Sequence, residues 1–283
     1  MSKVAIVTDS TAYIPADLVE QYAITVMPQV LIWGEETMLD GVDIQPDEFY
    51  ARLQSSSVMP TTSQVSVQAF RETFEKLTAE GKDVLAILIS EKLSGTIASA
   101  NQALRFLPEG RVEIVDSRST AMAMGFQVLE AAKAAQAGKS LQECKAVAEA
   151  ARERTGVIFA VDTLEFLHRG GRIGGASRFL GTALQMKPIL EVTGGRVEPI
   201  ERVRTKKKAH ARVVELIAER TAGRGPVKLA TLHAAAEEDA RALLQAATER
   251  LGDVEESIFS EVSPVVGTHA GPGTVGLAYM TAK

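Results

Sequence analysis

Residues 84–100, VLAILISEKLSGTIASA, decide the fold. The first six, Val84 to Ile89, are all apolar and rich in β-branched side chains. That is the composition of a strand buried on both faces of a parallel sheet. Ser94-Gly95-Thr96 follows, and Ile97, Ala100 and Leu104 then recur at helical spacing. A strand therefore feeds a helix through a turn carrying two hydroxyls and one glycine. The first N–H groups of a helix have no internal partner and carry partial positive charge, so such a turn suits an anion. A Ser94 acting only as a helix cap reads the same way.

The same punctuation recurs on either side. Residues 4–7 form a short apolar strand ending in Thr8-Asp9-Ser10-Thr11, with Pro15 at the start of a helix. Residues 112–115 form another, ending in Asp116-Ser117-Arg118-Ser119. Two long helices follow, near 120–137 and 141–154, split by Gly138, with Cys144 in the second as a core residue. Residues 24–33 read as an extended run broken at Pro28, and Gly34-Glu35-Glu36 as a turn. Pro46 opens a helix, and residues 55–66, SSSVMPTTSQVS, read as a polar loop before a helix at 67–79. Strands alternating with helices imply an N-terminal parallel-sheet α/β/α domain. Ligands bind beyond the carboxyl ends of such strands, where the turns at Thr8, Ser94 and Asp116 all fall.

The second half differs. A strand at 157–161 and a helix at 164–168 precede RGGRIGG at 169–175, which lacks the GxxxxGK[ST] of a Walker phosphate loop. Residues 189–192 and 197–203 flank Gly194-Gly195 as a hairpin. Arg202, Arg204, Lys206, Lys207 and Lys208 run into a helix ending near Arg220; a solvated face reads the same. A strand at 227–232, a helix at 237–251 and a strand at 257–262 follow. The hairpin implies a second α/β domain with a mixed sheet, dividing the chain into 1–160 and 161–283. Gly271 to Gly276 matches GxGxxG, but no strand precedes it and only seven residues follow, so a dinucleotide site is rejected. Its glycines read as a tight turn before a last strand at 277–280. His269, within that turn, is a candidate ligand donor.

With 46% hydrophobic and 24% charged residues, the 283-residue chain can bury a large core. A net charge of −5 argues against nucleic acid as a partner. One cysteine excludes a disulfide framework and a thiol metal cluster, which suits a cytoplasmic setting. No stretch reads as a signal peptide or an integral membrane segment. Two further readings stay open: a serine hydrolase using Ser94 and His269, weakened by the absence of GxSxG, and a binder of another small anionic metabolite.

Thr8-Asp9-Ser10-Thr11, Pro60-Thr61-Thr62-Ser63-Gln64, Ser94-Gly95-Thr96, Asp116-Ser117, Gly170-Gly171-Arg172-Ile173, Val203-Arg204-Thr205-Lys206-Lys207-Lys208 and Thr268-His269-Ala270-Gly271-Pro272-Gly273 occur in one order across almost the whole chain. Together they resemble the DegV family, the fatty-acid-binding subunits of bacterial fatty acid kinase. Val65 departs from that pattern, which has proline there. The resemblance implies a DegV-like fold in which a long-chain fatty acid lies in a tunnel of the N-terminal domain, 1–160. The C-terminal domain, 161–283, closes over the carboxylate, and a separate ATP-binding kinase subunit phosphorylates it to acyl-phosphate for phospholipid metabolism. The chain would then be a lipid-binding subunit in the bacterial cytoplasm, without an ATP site, cofactor, metal or catalytic residue of its own. Its membrane contact would be transient, for lipid exchange. Hydroxyls of Thr61 or Thr62 and of Ser94, with the N–H groups of Gly95 and Thr96, suit a carboxylate; by resemblance Arg172 and His269 complete the site. Kinase docking carries over to Arg204, with Arg202 and Lys206 in support.

Overall fold

The computed structural model describes residues 3–181 and 186–283. The chain opens with β1 (Val4–Asp9), α1 (Ala16–Gln21), β2 (Thr25–Met27), β3 (Val30–Trp33) and β4 (Glu36–Leu39). It continues through α2 (Pro46–Ser55), β5 (Thr61–Ser63), α3 (Val67–Ala79), β6 (Asp83–Leu88), α4 (Thr96–Ala103), β7 (Val112–Asp116), α5 (Ala121–Gln136) and α6 (Leu141–Arg152). Strands β2, β1, β6 and β7 pair in that order as a wholly parallel sheet. Along β6 the side chains alternate between two cores: Leu85 and Ile87 join one cluster, Val84, Ala86 and Leu88 another with Phe70 and Phe74 of α3. Both faces are covered, which is why the run has no polar position.

The remainder supplies β8 (Thr155–Ala160), α7 (Glu165–Arg169), β9 (Lys187–Thr193), β10 (Arg196–Val203), α8 (Lys206–Thr221), β11 (Val227–His233), α9 (Glu237–Leu251), β12 (Val254–Ile258), α10 (Pro264–Ala270) and β13 (Val275–Thr281). Its sheet runs β10-β9-β8-β13-β11-β12. The β11–β12 pair is parallel and the others antiparallel, so the sheet is mixed. Its first strand, β8, begins at Thr155. Helices α8 and α9 share a core cluster with one face of this sheet.

Helix α5 fills the space between the sheets, packing on β1 and β6 and also on β8, β11 and β13. All its residues except Glu130, Lys133 and Gln136 are buried. A helix apolar on all but one narrow stripe belongs in such a place. The molecule is thus layered: α3 and α4, the parallel sheet, α5, the mixed sheet, then α8 and α9.

Three local expectations change. Thr61–Ser63 is a strand within the stretch read as a loop; it pairs with β3 in a third, antiparallel sheet ordered β4-β3-β5. Three polar residues carry no hydrophobic period to read. The strand expected at 257–262 lies at Val254–Ile258, where exposed and half-buried residues alternate on an edge. His269 stands in the last turn of α10, not in a glycine turn. Pro264 opens that helix, and Gly271, with φ of 78°, ends it.

Candidate functional site

The carboxyl ends of β1, β6 and β7 bring the three hydroxyl-rich turns to one edge. Asp9 ties two of them: its Oδ2 accepts the Ile89 N–H at 2.8 Å, and its Oδ1 accepts the Thr11 N–H and hydroxyl at 3.0 and 2.6 Å. Burial nonetheless raises the Asp9 carboxyl above its ordinary range. The Ser90 N–H donates to the Ser119 carbonyl at 3.0 Å, binding the third turn. Tyr13, Arg118 and Ala121 hold left-handed backbone here, with φ of 55°, 51° and 52°. Such strain persists where surrounding structure enforces it, often around binding sites.

An apolar cavity opens between the two halves. Ile89 and Leu93 line one side; Val157 and Phe159 of β8, Val192 and Val197 of the hairpin and Leu232 of β11 line the other, with Val262, Val265 and Val266. Its walls come from both halves of the chain, on either side of residue 160. At its polar end are Thr62, Ser94, Arg172 and His269, with Gln29 and Gln64. Among the described residues no Asp or Glu lines it, and Arg172 is the one charged lining residue. Arg172 Nε donates to the Leu93 carbonyl at 3.0 Å and Nη1 to the Gly170 carbonyl at 2.6 Å. Among the described residues it pairs with no carboxylate.

His269 Nε2 lies 2.7 Å from the Thr62 hydroxyl, while its Nδ1 is buried without a partner. Gly170 leaves room for the ring: a Cβ there would sit 2.0 Å from Nδ1. Burial, and then the nearby Arg172 charge, lower the imidazole pKa to about 4, so the ring is neutral at pH 7. An unfolded chain takes up a proton near the ordinary value of 6.5, which the folded chain refuses until about 4. The stability this contributes is therefore present above pH 6.5 and lost as pH falls toward 4, by about 3 kcal/mol in all. Urea titrations at pH 7 and pH 4.5 should show a fall of that order in the native protein, and a smaller one in His269→Gln.

The other expected site residues divide. Ser94 Oγ lies 2.8 Å from Thr96 Oγ1 and also accepts the Thr96 N–H at 3.3 Å, so that N–H is already engaged. Thr96 is buried and accepts from Gln29 Nε2 at 2.8 Å. Thr61 and Gly95 are exposed, and neither lines the cavity. Strand alternation turns Thr62 toward His269 and its neighbour away. The hydrolase arrangement does not form, since Ser94 and His269 each bond a threonine instead of one another. Gln29 has no signal in the sequence beyond its place after Pro28. The hairpin tip closes over the Ser94 turn: the Ser90 hydroxyl donates to the Gly195 carbonyl at 2.7 Å, and Lys92 Nζ to the Gly194 carbonyl at 2.7 Å. Of the expected docking residues, Arg204 is exposed, Arg202 stacks on the Phe179 ring at 4.5 Å, and Lys206 pairs with Asp239. None of the three lines the cavity. Among the described residues no helix is long and apolar enough to cross a membrane.

Residues 3–282 match the family model described as "Uncharacterised protein, DegV family". A DegV domain-containing protein of Streptomyces coelicolor is 41% identical over 275 residues, 97% of each chain. The solved structure of a fatty-acid-binding DegV family protein from Thermus thermophilus superposes with a TM-score of 0.94 at 36% identity, covering 99% of this chain and 100% of its own. DegV of Bacillus subtilis, described as a fatty acid binding protein, gives 0.89 at 32% identity, with 99% and 100% covered. A match along nearly the whole length, in both sequence and architecture, makes this chain a member of the DegV family.

Proposed function

We propose that the protein binds one long-chain fatty acid, its tail in the cavity between the halves and its carboxylate beside Thr62, Ser94, Arg172 and His269. The observation that carries this is an apolar cavity whose polar end has a guanidinium with no carboxylate partner, an imidazole nitrogen with no partner and two hydroxyls, but no acidic side chain. A buried carboxylate must be paired or hydrogen-bonded, and these groups can do both. Burying about fourteen methylenes at roughly 0.8 kcal/mol each is worth on the order of 10 kcal/mol before ordering costs. Micromolar affinity needs only about 8 kcal/mol, so the tail supplies the affinity and the polar end sets the orientation. The two relatives whose structures are described as fatty-acid-binding support the reading.

Mass spectrometry of lipid extracted from the purified protein tests it. Stoichiometric C14 to C18 fatty acid is the expected result; a phosphorylated metabolite, or no lipid after incubation with oleate, overturns the reading.

The finer role is presentation. In this reading the bound carboxylate is offered, in the bacterial cytoplasm, to a separate ATP-binding kinase subunit that converts it to acyl-phosphate, and lipid is exchanged by transient membrane contact. Arg204, exposed at the end of β10, is the residue assigned to docking. Arg204→Ala should retain its lipid while acyl-phosphate formation with the kinase falls by about ten-fold or more, the loss of one charged interface contact. A loss of lipid instead would move Arg204 into the binding site.

A further inference from the structure

We infer that Asp40 is a positioning residue that sets the spacing between the two walls of the carboxylate site. This inference rests on the fatty-acid reading above. Asp40 follows β4, is 2% exposed and has no cationic partner among the described residues. Its Oδ2 accepts the Ser10 hydroxyl at 2.6 Å and the Ser263 hydroxyl at 2.7 Å, and its Oδ1 accepts the Val265 N–H at 3.3 Å. Two chains of contacts lead from that one carboxylate to two residues of the cavity's polar end, Ser94 and His269.

The first runs through Ser10, whose Oγ accepts the Gln29 N–H at 3.1 Å. The Asp40 N–H donates to the Gln29 carbonyl at 2.9 Å, so Gln29 is held at both its backbone groups. Its side chain reaches Thr96 Oγ1 at 2.8 Å, and Thr96 reaches Ser94. The second runs through α10. Ser263 is the N-cap of that helix, yet its hydroxyl makes no capping bond and donates to Asp40 instead. Asp40 takes over the cap by accepting the Val265 N–H, and its charge suits the helix start. The last turn of α10 carries His269, bonded to Thr62.

A buried carboxylate is costly unless its lone pairs are used. Three donors from two separate segments use them here, so its removal leaves hydroxyls unpaired on both sides at once. A residue that served only the core would be better apolar. What an apolar residue could not do is hold the Ser94 turn and the His269 helix in one register.

Asp40→Asn keeps the shape, but with its amide oxygen accepting the two hydroxyls its NH2 faces the Val265 N–H, so it cannot make all three bonds. Titrated with oleate, it should bind about ten-fold more weakly, the size of one lost charge-assisted tie. The 15N resonances of the His269 imidazole, identified by their loss in His269→Gln, should move in the unliganded protein. Ser263→Ala, which cuts only the α10 arm, should move them too and covers the case in which Asp40→Asn does not fold. Leu243→Ala, in the outer core of α9, controls for general loss of stability and should change neither readout. His269 resonances unchanged in both site variants, or oleate affinity within two-fold of the native protein, would overturn the inference. Failure of the native protein to bind oleate would overturn the fatty-acid reading instead, while the imidazole resonances would still report on the role of Asp40.

Discussion

Gly170→Ala should weaken oleate binding by about ten-fold or more, and displacing the buried ring should also cost about 1–3 kcal/mol of stability. The backbone of Gly170 is ordinary, with φ of −73° and ψ of −9°, and alanine adopts it without strain. What alanine brings is a methyl group 2.0 Å from His269 Nδ1. The ring must rotate away, which breaks its 2.7 Å contact with Thr62 and removes the partnerless nitrogen from the place where a carboxylate oxygen would meet it. Gly171→Ala separates this from backbone effects. Gly171 has φ of 72° and open space around its Cβ position, so alanine there is strained but touches nothing. Calorimetric titration should show the affinity loss in Gly170→Ala and near-native affinity in Gly171→Ala. The reverse pattern would remove His269 from the head-group site.

Phe126→Ala should cost about 3–5 kcal/mol, the range for truncating a fully buried aromatic side chain. For a chain of this length that is a fall in Tm of roughly 10 °C. Phe126 is 1% exposed on α5, the helix both sheets pack against. One sharpened consequence is cooperativity: near- and far-ultraviolet circular dichroism should report a single transition that moves as a whole. Phe106→Ala is the comparison, because Phe106 is 56% exposed and meets mainly the Arg71 guanidinium, a contact worth about 0.5–1 kcal/mol. A Phe126→Ala loss no larger than that would mean α5 is not the shared core.

The parts of this fold that can be read from sequence are those whose burial leaves a period. Residues 84–89 announce a two-sided strand because both neighbouring layers demand apolar side chains there. The mixed sheet follows from the hairpin around Gly194-Gly195. Strand β5 cannot be read, since Thr61–Ser63 is polar and three residues long. With it goes the choice between Thr61 and Thr62, which the contact of Thr62 with His269 makes definite. The glycines at 271, 273 and 276 suggest a loose turn around His269, and the helix begun by Pro264 was hidden by them. Gln29 and Asp40 act through partners 67 and 223 residues away. Nothing local marks such a residue, because its reason lies in another layer.

The central helix has a bearing on how this protein can be taken apart. A fragment ending near residue 160 would carry α5 with the flank meant for β11 and β13 facing water. A fragment beginning there would lack β8 from the middle of its sheet as well as the helix beneath it. Neither piece owns a complete interior. The cavity, whose walls are drawn from both halves, must be inherited, expressed and assayed as part of one indivisible body.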